Sequence, residues 1–276
     1  MIVLIPMLIL NLEQEYKITM LRQIKKHILQ PYFNLSLLLL SFFYSTAAIA
    51  STWDTLSPGI EYRSIIPNPI TPWSKVHVFR IDLKHYELDI VTAKSLAKTH
   101  APAEELAKSE DALIAVNGGF FDTKFTPLGL RIGHYEQLSA FKSISWWGVF
   151  YTKAERPHIS KASKYKARAP KAEFAIQSGP RLLINGKSPS LKPGVAERTA
   201  LGITKHHKVI LLVTEHAPMS TPMLADMMKS YPLYCTEALN LDGGSSTQLY
   251  ADVGHLKISS RTPLGVSDAV IVKPRK

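Results

Sequence analysis

From residue 75 onward the chain is written largely in a period of two. Lys75-Val76-His77-Val78-Phe79-Arg80-Ile81-Asp82-Leu83 alternates apolar and polar residues, and Tyr86 to Val91 partly repeats the pattern, which predicts a half-buried antiparallel pair. Residues 101–108 predict a short helix, with Pro102 near its start and Glu104 and Glu105 in its first turn. Strands are expected at 112–116, 126–132 and 145–151, the last carrying Trp146 and Trp147. Paired aromatics in a strand belong in a core, although an indole can also stack on a sugar face. Residues 172–177 lead into turn signals at Ser178-Gly179-Pro180 and Asn185-Gly186. Residues 198–204 and 208–214 predict a hairpin turning at His206-His207; adjacent histidines on a strand face opposite ways and make a poor metal pair. A helix over 222–230 and a closing strand over 267–272 complete the pattern. Many strands, few helices and no regular alternation predict an α+β fold: a single domain with a mixed, largely antiparallel sheet core flanked by a few short helices.

The first fifty residues read differently. Lys17, Arg22, Lys25 and Lys26 precede the apolar run from Leu35 to Tyr44, and Ala48-Ile49-Ala50 ends it. This is the layout of a secretory signal cleaved after Ala50, with Met20 an alternative start. The run is short of the roughly 20 apolar residues of a membrane span, and an uncleaved anchor is the competing reading. Residues 51–74 then form an N-terminal extension and 75–276 the domain, with export to the periplasm expected.

Charge changes the picture little. The chain carries a net +11, and losing four basic and two acidic residues with the signal leaves +9. Most of the excess lies between Lys153 and Lys171, expected to be a solvated loop. That stretch has Tyr165 as its sole aromatic, a poor nucleic-acid footprint. Cys235, the single cysteine, sits among apolar neighbours and is expected to be buried and inert, so packing alone must hold the fold.

Two stretches concentrate chemistry. Asn240-Leu241-Asp242-Gly243-Gly244-Ser245-Ser246-Thr247 puts a carboxylate, two glycines and three hydroxyls where a rigid element opens into a loop. The same residues serve equally well as a plain hairpin turn. Val116-Asn117-Gly118-Gly119-Phe120-Phe121-Asp122 repeats the logic after an apolar run. The two loops are expected side by side at one sheet edge, with Asp122 and Asp242 in one cleft.

These motifs, with Pro127-Leu128-Gly129-Leu130, Gln177-Ser178-Gly179-Pro180-Arg181-Leu182 and Arg198-Thr199-Ala200-Leu201-Gly202, resemble the phosphodiester glycosidase family over residues 75–272. Ser245 stands where the family's most frequent form has a third glycine. The resemblance implies hydrolysis of the bond between a sugar's anomeric carbon and a phosphodiester oxygen. For that chemistry Asp242 and Asp122 are the candidate catalytic carboxylates, with Glu237 in reserve. Arg181 and Arg198 would grip the phosphate, unless they are spent on structural ion pairs. Gly118, Gly119, Gly243 and Gly244 would lend N–H groups to the anion, and Asn117, Asn240, Ser245 and Thr247 would bind sugar hydroxyls. No cofactor is implied. Two other readings compete: a binding module for an envelope glycan, and a metal-assisted phosphodiesterase with Asp122 and Asp242 as ligands to Ca²⁺ or Mg²⁺.

Overall fold

The structure is a computed structural model and describes residues 52–168, 170–260, 262 and 264–275, together with 17, 19–23 and 25. The signal segment expected at 1–50 lies, apart from those few positions, outside the described residues. The chain divides into two units, Met1–Thr52 and Trp53–Lys276, and the second holds the fold.

In chain order its elements are β1 (Asp54–Ser57), β2 (Ile60–Ile65), β3 (Lys75–Ile81), β4 (Tyr86–Thr92), α1 (Ala103–Lys108), β5 (Ile114–Asn117), β6 (Arg131–Gly133) and β7 (Glu136–Ser139). There follow β8 (Gly148–Lys153), β9 (Arg156–Lys161), α2 (Ala162–Arg168), β10 (Phe174–Ser178), β11 (Arg181–Leu183), β12 (Val195–Ala196), β13 (Thr199–Thr204) and β14 (Val209–Glu215). The last are β15 (Met219–Ser220), α3 (Thr221–Lys229), β16 (Cys235–Asn240), β17 (Leu249–Val253), β18 (Leu256–Ser260) and β19 (Asp268–Pro274). Three sheets carry the domain, in the orders β1-β2-β3-β14-β13-β16-β11, β18-β17-β5-β19-β4 and β7-β6-β10-β8-β9; β12 and β15 form a small ribbon. The fold is α+β, and the strand pairings among the described residues are all antiparallel. Residues 51–74, read as an extension, supply β1 and β2 to the largest sheet.

Strand periodicity explains the layering. On β14, Val209, Leu211 and Val213 face a central core shared by the three sheets, whereas Ile210 and Leu212 face the opposite side, where Leu224, Ala225 and Met228 of α3 cover them. On β19, Val270 and Val272 face the central core, and Ala269 and Ile271 pack under Ala103, Leu106 and Ala107 of α1. Tyr165 of α2 covers Val149 and Ala175 on the third sheet in the same way. The start of α3 is set locally: the Ser220 hydroxyl accepts the Met223 amide at 3.3 Å, with a proline in the first turn.

Three expectations are corrected. The basic stretch 153–171 is not a loop but β9 and α2, because Ala162 and Tyr165 bury a face despite the lysines around them. Trp147 is buried as expected, but Trp146 precedes β8 and is 58 % exposed. Of residues 126–132, only Arg131 and Ile132 lie in a strand. Cys235 is buried, which pushes its thiol pKa well up.

Candidate active site

The two glycine loops leave β5 and β16, strands of different sheets, so they meet across a sheet-to-sheet junction instead of along one edge. The amide of Asp242 donates to Gly118 O at 3.3 Å, and Asn117 Nδ2 donates to Asp242 O at 2.8 Å. Asn117 Oδ1 accepts from Thr199 Oγ1 at 2.6 Å and from the Gln248 amide at 3.2 Å. Fully buried and spent on protein partners, Asn117 fastens three segments together and has nothing left for a sugar hydroxyl.

Beneath the first loop lies an ion pair sealed from solvent, Arg131 Nε to Asp268 Oδ1 at 3.0 Å. The pair is heavily hydrogen-bonded, as buried charge requires. Arg131 Nη2 donates to Phe120 O at 3.2 Å and Nη1 to Gln177 O at 3.1 Å, while Ser267 Oγ donates to Asp268 Oδ2 at 2.7 Å. The Gly118 amide donates to Asp268 O and the Gly119 amide to Asp268 Oδ1, at 2.8 and 3.3 Å. A Cβ at Gly118 would lie 1.8 Å from Asp268 Oδ1, and one at Gly119 2.4 Å from Arg131 Nη2. These glycines make room for the ion pair, and their N–H groups are not available to cradle an anion. Neither Arg131 nor Asp268 stands out as a motif. The signal that finds them is a charge inside a strand of otherwise buried residues, which demands a partner.

The second loop is open. The Gly243 amide donates to Asp242 Oδ1 at 2.8 Å, the Gly244 amide to Glu197 O at 2.8 Å, and a Cβ at Gly243 would lie 2.4 Å from Glu197 O. Gly244 has φ +60° with nothing near its missing side chain, and Ser245 is exposed. Ser246 hydrogen-bonds the Asp242 carboxylate. Burial pushes the Asp242 pKa above its ordinary value; the Ser246 and Gly243 bonds pull part of that back, the neighbouring Asp268 carboxylate adds to the rise and Arg131 opposes it. The carboxylate beside Asp242 is therefore Asp268. Asp122 is exposed, and its Oδ1 accepts the Lys124 and Thr126 amides, both at 2.9 Å. Thr126 first, then Lys124, hold its pKa down.

The two arginines part company. Arg181 Nη2 donates to Glu237 Oε2 at 2.8 Å, and Glu237 Oε1 accepts the Asn185 amide at 2.8 Å. Both the arginine and the reserve carboxylate are thus engaged in a structural pair, with Glu237 rather than an aspartate as the partner. Beyond the last pair of the two strands, the Leu241 amide donates to Thr199 O at 2.9 Å and the Gly244 amide to Glu197 O at 2.8 Å, which lays the backbone of Arg198 alongside that of Asp242. Arg198 Nε donates to Met219 O at 2.9 Å and Nη2 to Gly194 O. No carboxylate pairs with it among the described residues. Asn240 Oδ1 and Thr247 Oγ1 are buried without a hydrogen-bond partner among the described residues, so neither meets solvent here.

A sequence model of the phosphodiester glycosidase family matches residues 110–273, which include both glycine loops, Arg131 and Asp268. The chain belongs to this family. It is also 32% identical over 130 residues to the uncharacterized protein YigE of Escherichia coli K12, a match spanning 43% of this chain and about half, 51%, of that relative. Among solved structures, the catalytic domain of zebrafish N-acetylglucosamine-1-phosphodiester alpha-N-acetylglucosaminidase, auto-inhibited by its pro-peptide, superposes with a TM-score of 0.63 at 19% identity, covering 82% of this chain and 87% of that one. A protein of Burkholderia pseudomallei K96243 named as exported gives 0.55 at 13% identity, covering 73% and 74%. At these identities the structural likenesses show the fold.

Of the candidate residues, Asp242 is a half-buried carboxylate and Arg198 a guanidinium without a carboxylate partner among the described residues, on adjoining strand ends. Among the described residues no three His, Cys, Asp or Glu side chains gather as a metal cluster, and Asp122 and Asp242 are held by separate loops. Among the described residues no helix is long and apolar enough to cross a membrane.

Proposed function

We propose that this protein is an exported hydrolase that cleaves the C1–O bond of a sugar-1-phosphodiester, with Asp242 as its catalytic carboxylate. The observation that carries the reading is the Asp242 carboxyl itself, partly desolvated and raised in pKa at the one open glycine loop. Departure of the phosphate leaves oxocarbenium character at the anomeric carbon. A carboxylate that is poorly solvated before reaction gains most when positive charge develops in front of it. The leaving group is already anionic and weakly basic, so it needs neutralising more than protonating. Arg198 has donor capacity left for that task, whereas Arg181 is held by Glu237. Ser245 borders the same opening, whereas the Gly243 and Gly244 amides are already donated to Asp242 Oδ1 and Glu197 O and are not available to an anion. Arg131 and Asp268 act as positioning residues, fixing the Asn117 loop on which the Asp242 backbone rests. Family membership and the exported structural relative support the reaction class and the destination.

The test is turnover of the methyl diester of N-acetylglucosamine-1-phosphate in ¹⁸O-labelled water, with a chelator control. Label in the released sugar and methyl phosphate as co-product support C1–O cleavage. Label in phosphate, with sugar-1-phosphate released, would replace this reading with phosphodiesterase chemistry.

A further inference from the structure

Next to Arg198 lies a cleft of about 500 Å³ lined by Trp146, Pro180, Ser190, Leu191, Lys192 and Thr221. It is tied to the site on two sides. Pro180 O accepts the amide of Asn240, two residues before Asp242, and Arg198 Nη2 donates to Gly194 O in the loop that carries Leu191 and Lys192. Its walls are mainly apolar, and of its two hydroxyls that of Thr221 is already donated to Lys192 O. A second sugar ring placed there would leave most of its hydroxyls unpaired, which costs more than stacking on one indole returns. A hydrocarbon chain loses nothing on the same walls. Exposed apolar side chains are carried by the neighbouring elements: Val195, which pairs with Ser220 next to the lining residue Thr221, is 68% exposed, Met223 on the first turn of α3 is 60% exposed, and the lining residue Trp146 is 58% exposed. Lys192 is exposed and has no carboxylate partner among the described residues, so a cation stands at the rim.

We infer that this cleft is an aglycone subsite for a hydrocarbon chain, which makes the substrate a lipid-linked sugar phosphodiester. This rests on the glycosidase reading above for the orientation of the substrate, with phosphate at Arg198, but the preference itself is a binding property.

The test uses three diesters of N-acetylglucosamine-1-phosphate, with methyl, octyl and glucosyl aglycones. Binding to the full chain carrying Asp242→Asn is measured by calorimetry, so the result does not depend on turnover. The octyl diester is expected to bind at least about tenfold more tightly than the methyl diester, a fraction of what full burial of its methylenes would give. Trp146→Ala is expected to cut that ratio several-fold, and its exposure makes misfolding a minor concern. Equal affinities, or a glucosyl diester that binds more tightly than the octyl one, would overturn the inference. An octyl preference in a chain that turns over no diester would sink the glycosidase reading and leave the subsite standing.

Discussion

The two glycine loops share a vocabulary, an asparagine, paired glycines and an aspartate, and do different work. In the Asn117 loop both glycine amides are bound to Asp268, and added methyl groups would strike Asp268 and Arg131. In the Asn240 loop Gly243 is packed against Glu197 O but Gly244 faces open space, and the half-buried Asp242 carboxyl makes no salt bridge among the described residues. One loop is closed over an ion pair, and the other carries the carboxylate proposed for catalysis. A motif therefore reports where backbones come close, while the side chains beneath it decide whether that closeness serves packing or a ligand.

The contrast is broken most severely from below. Arg131→Met strands Asp268 in the core and should cost about 3–5 kcal/mol, read as a fall in the urea midpoint; a loss under about 1 kcal/mol would mean the pair is not a foundation. Glycine substitutions come next. Gly118→Ala forces Asp268 aside and should cost about 1–3 kcal/mol. Gly244→Ala meets no neighbour but keeps φ +60°, so only the roughly 1 kcal/mol of left-handed strain is expected. Equal costs in the two loops would erase the distinction between them. Glu237→Gln should cost about 1 kcal/mol through Arg181 and leave kcat near wild type, whereas a drop of roughly 10²-fold would restore Glu237 as a catalytic carboxylate. The smallest effect belongs to Asp122→Asn, with turnover expected within about twofold of wild type.

Much of this architecture is legible in the sequence because it is periodic. The hairpin of β13 and β14 and the closing strand β19 follow from apolar runs and turn residues, and the short helix α1 from Pro102 and the acids of its first turn. Asp242 is legible too, since few stretches place a carboxylate, glycines and hydroxyls together. What escapes is long-range partnership. Nothing local says that Asp268, at the start of the last strand, lies under Gly118, or that Arg181 turns to Glu237 while Arg198 has no carboxylate partner among the described residues. The Lys153–Lys171 stretch misleads for a related reason: its charge is conspicuous, and the two residues that bury a face, Ala162 and Tyr165, are sparse. Trp146 and Trp147 are neighbours in sequence with opposite fates: both precede β8, and Trp147 packs on Phe120 and against Gly129 and Gly179 while Trp146 stays exposed.

The central claim, that Asp242 is kept in a site unfavourable to its charge for the sake of chemistry, is tested most directly by measuring kcat and thermal stability together in Asp242→Asn. A carboxyl whose pKa is raised by folding costs stability above the folded pKa, and the cost disappears as the pH falls below its ordinary value of 3.8. Asp242→Asn is expected to turn over roughly 10²-fold or more slowly than wild type, yet to have a higher Tm at neutral pH and no advantage in acid. A variant that retains turnover, or one that loses both activity and stability, would contradict it.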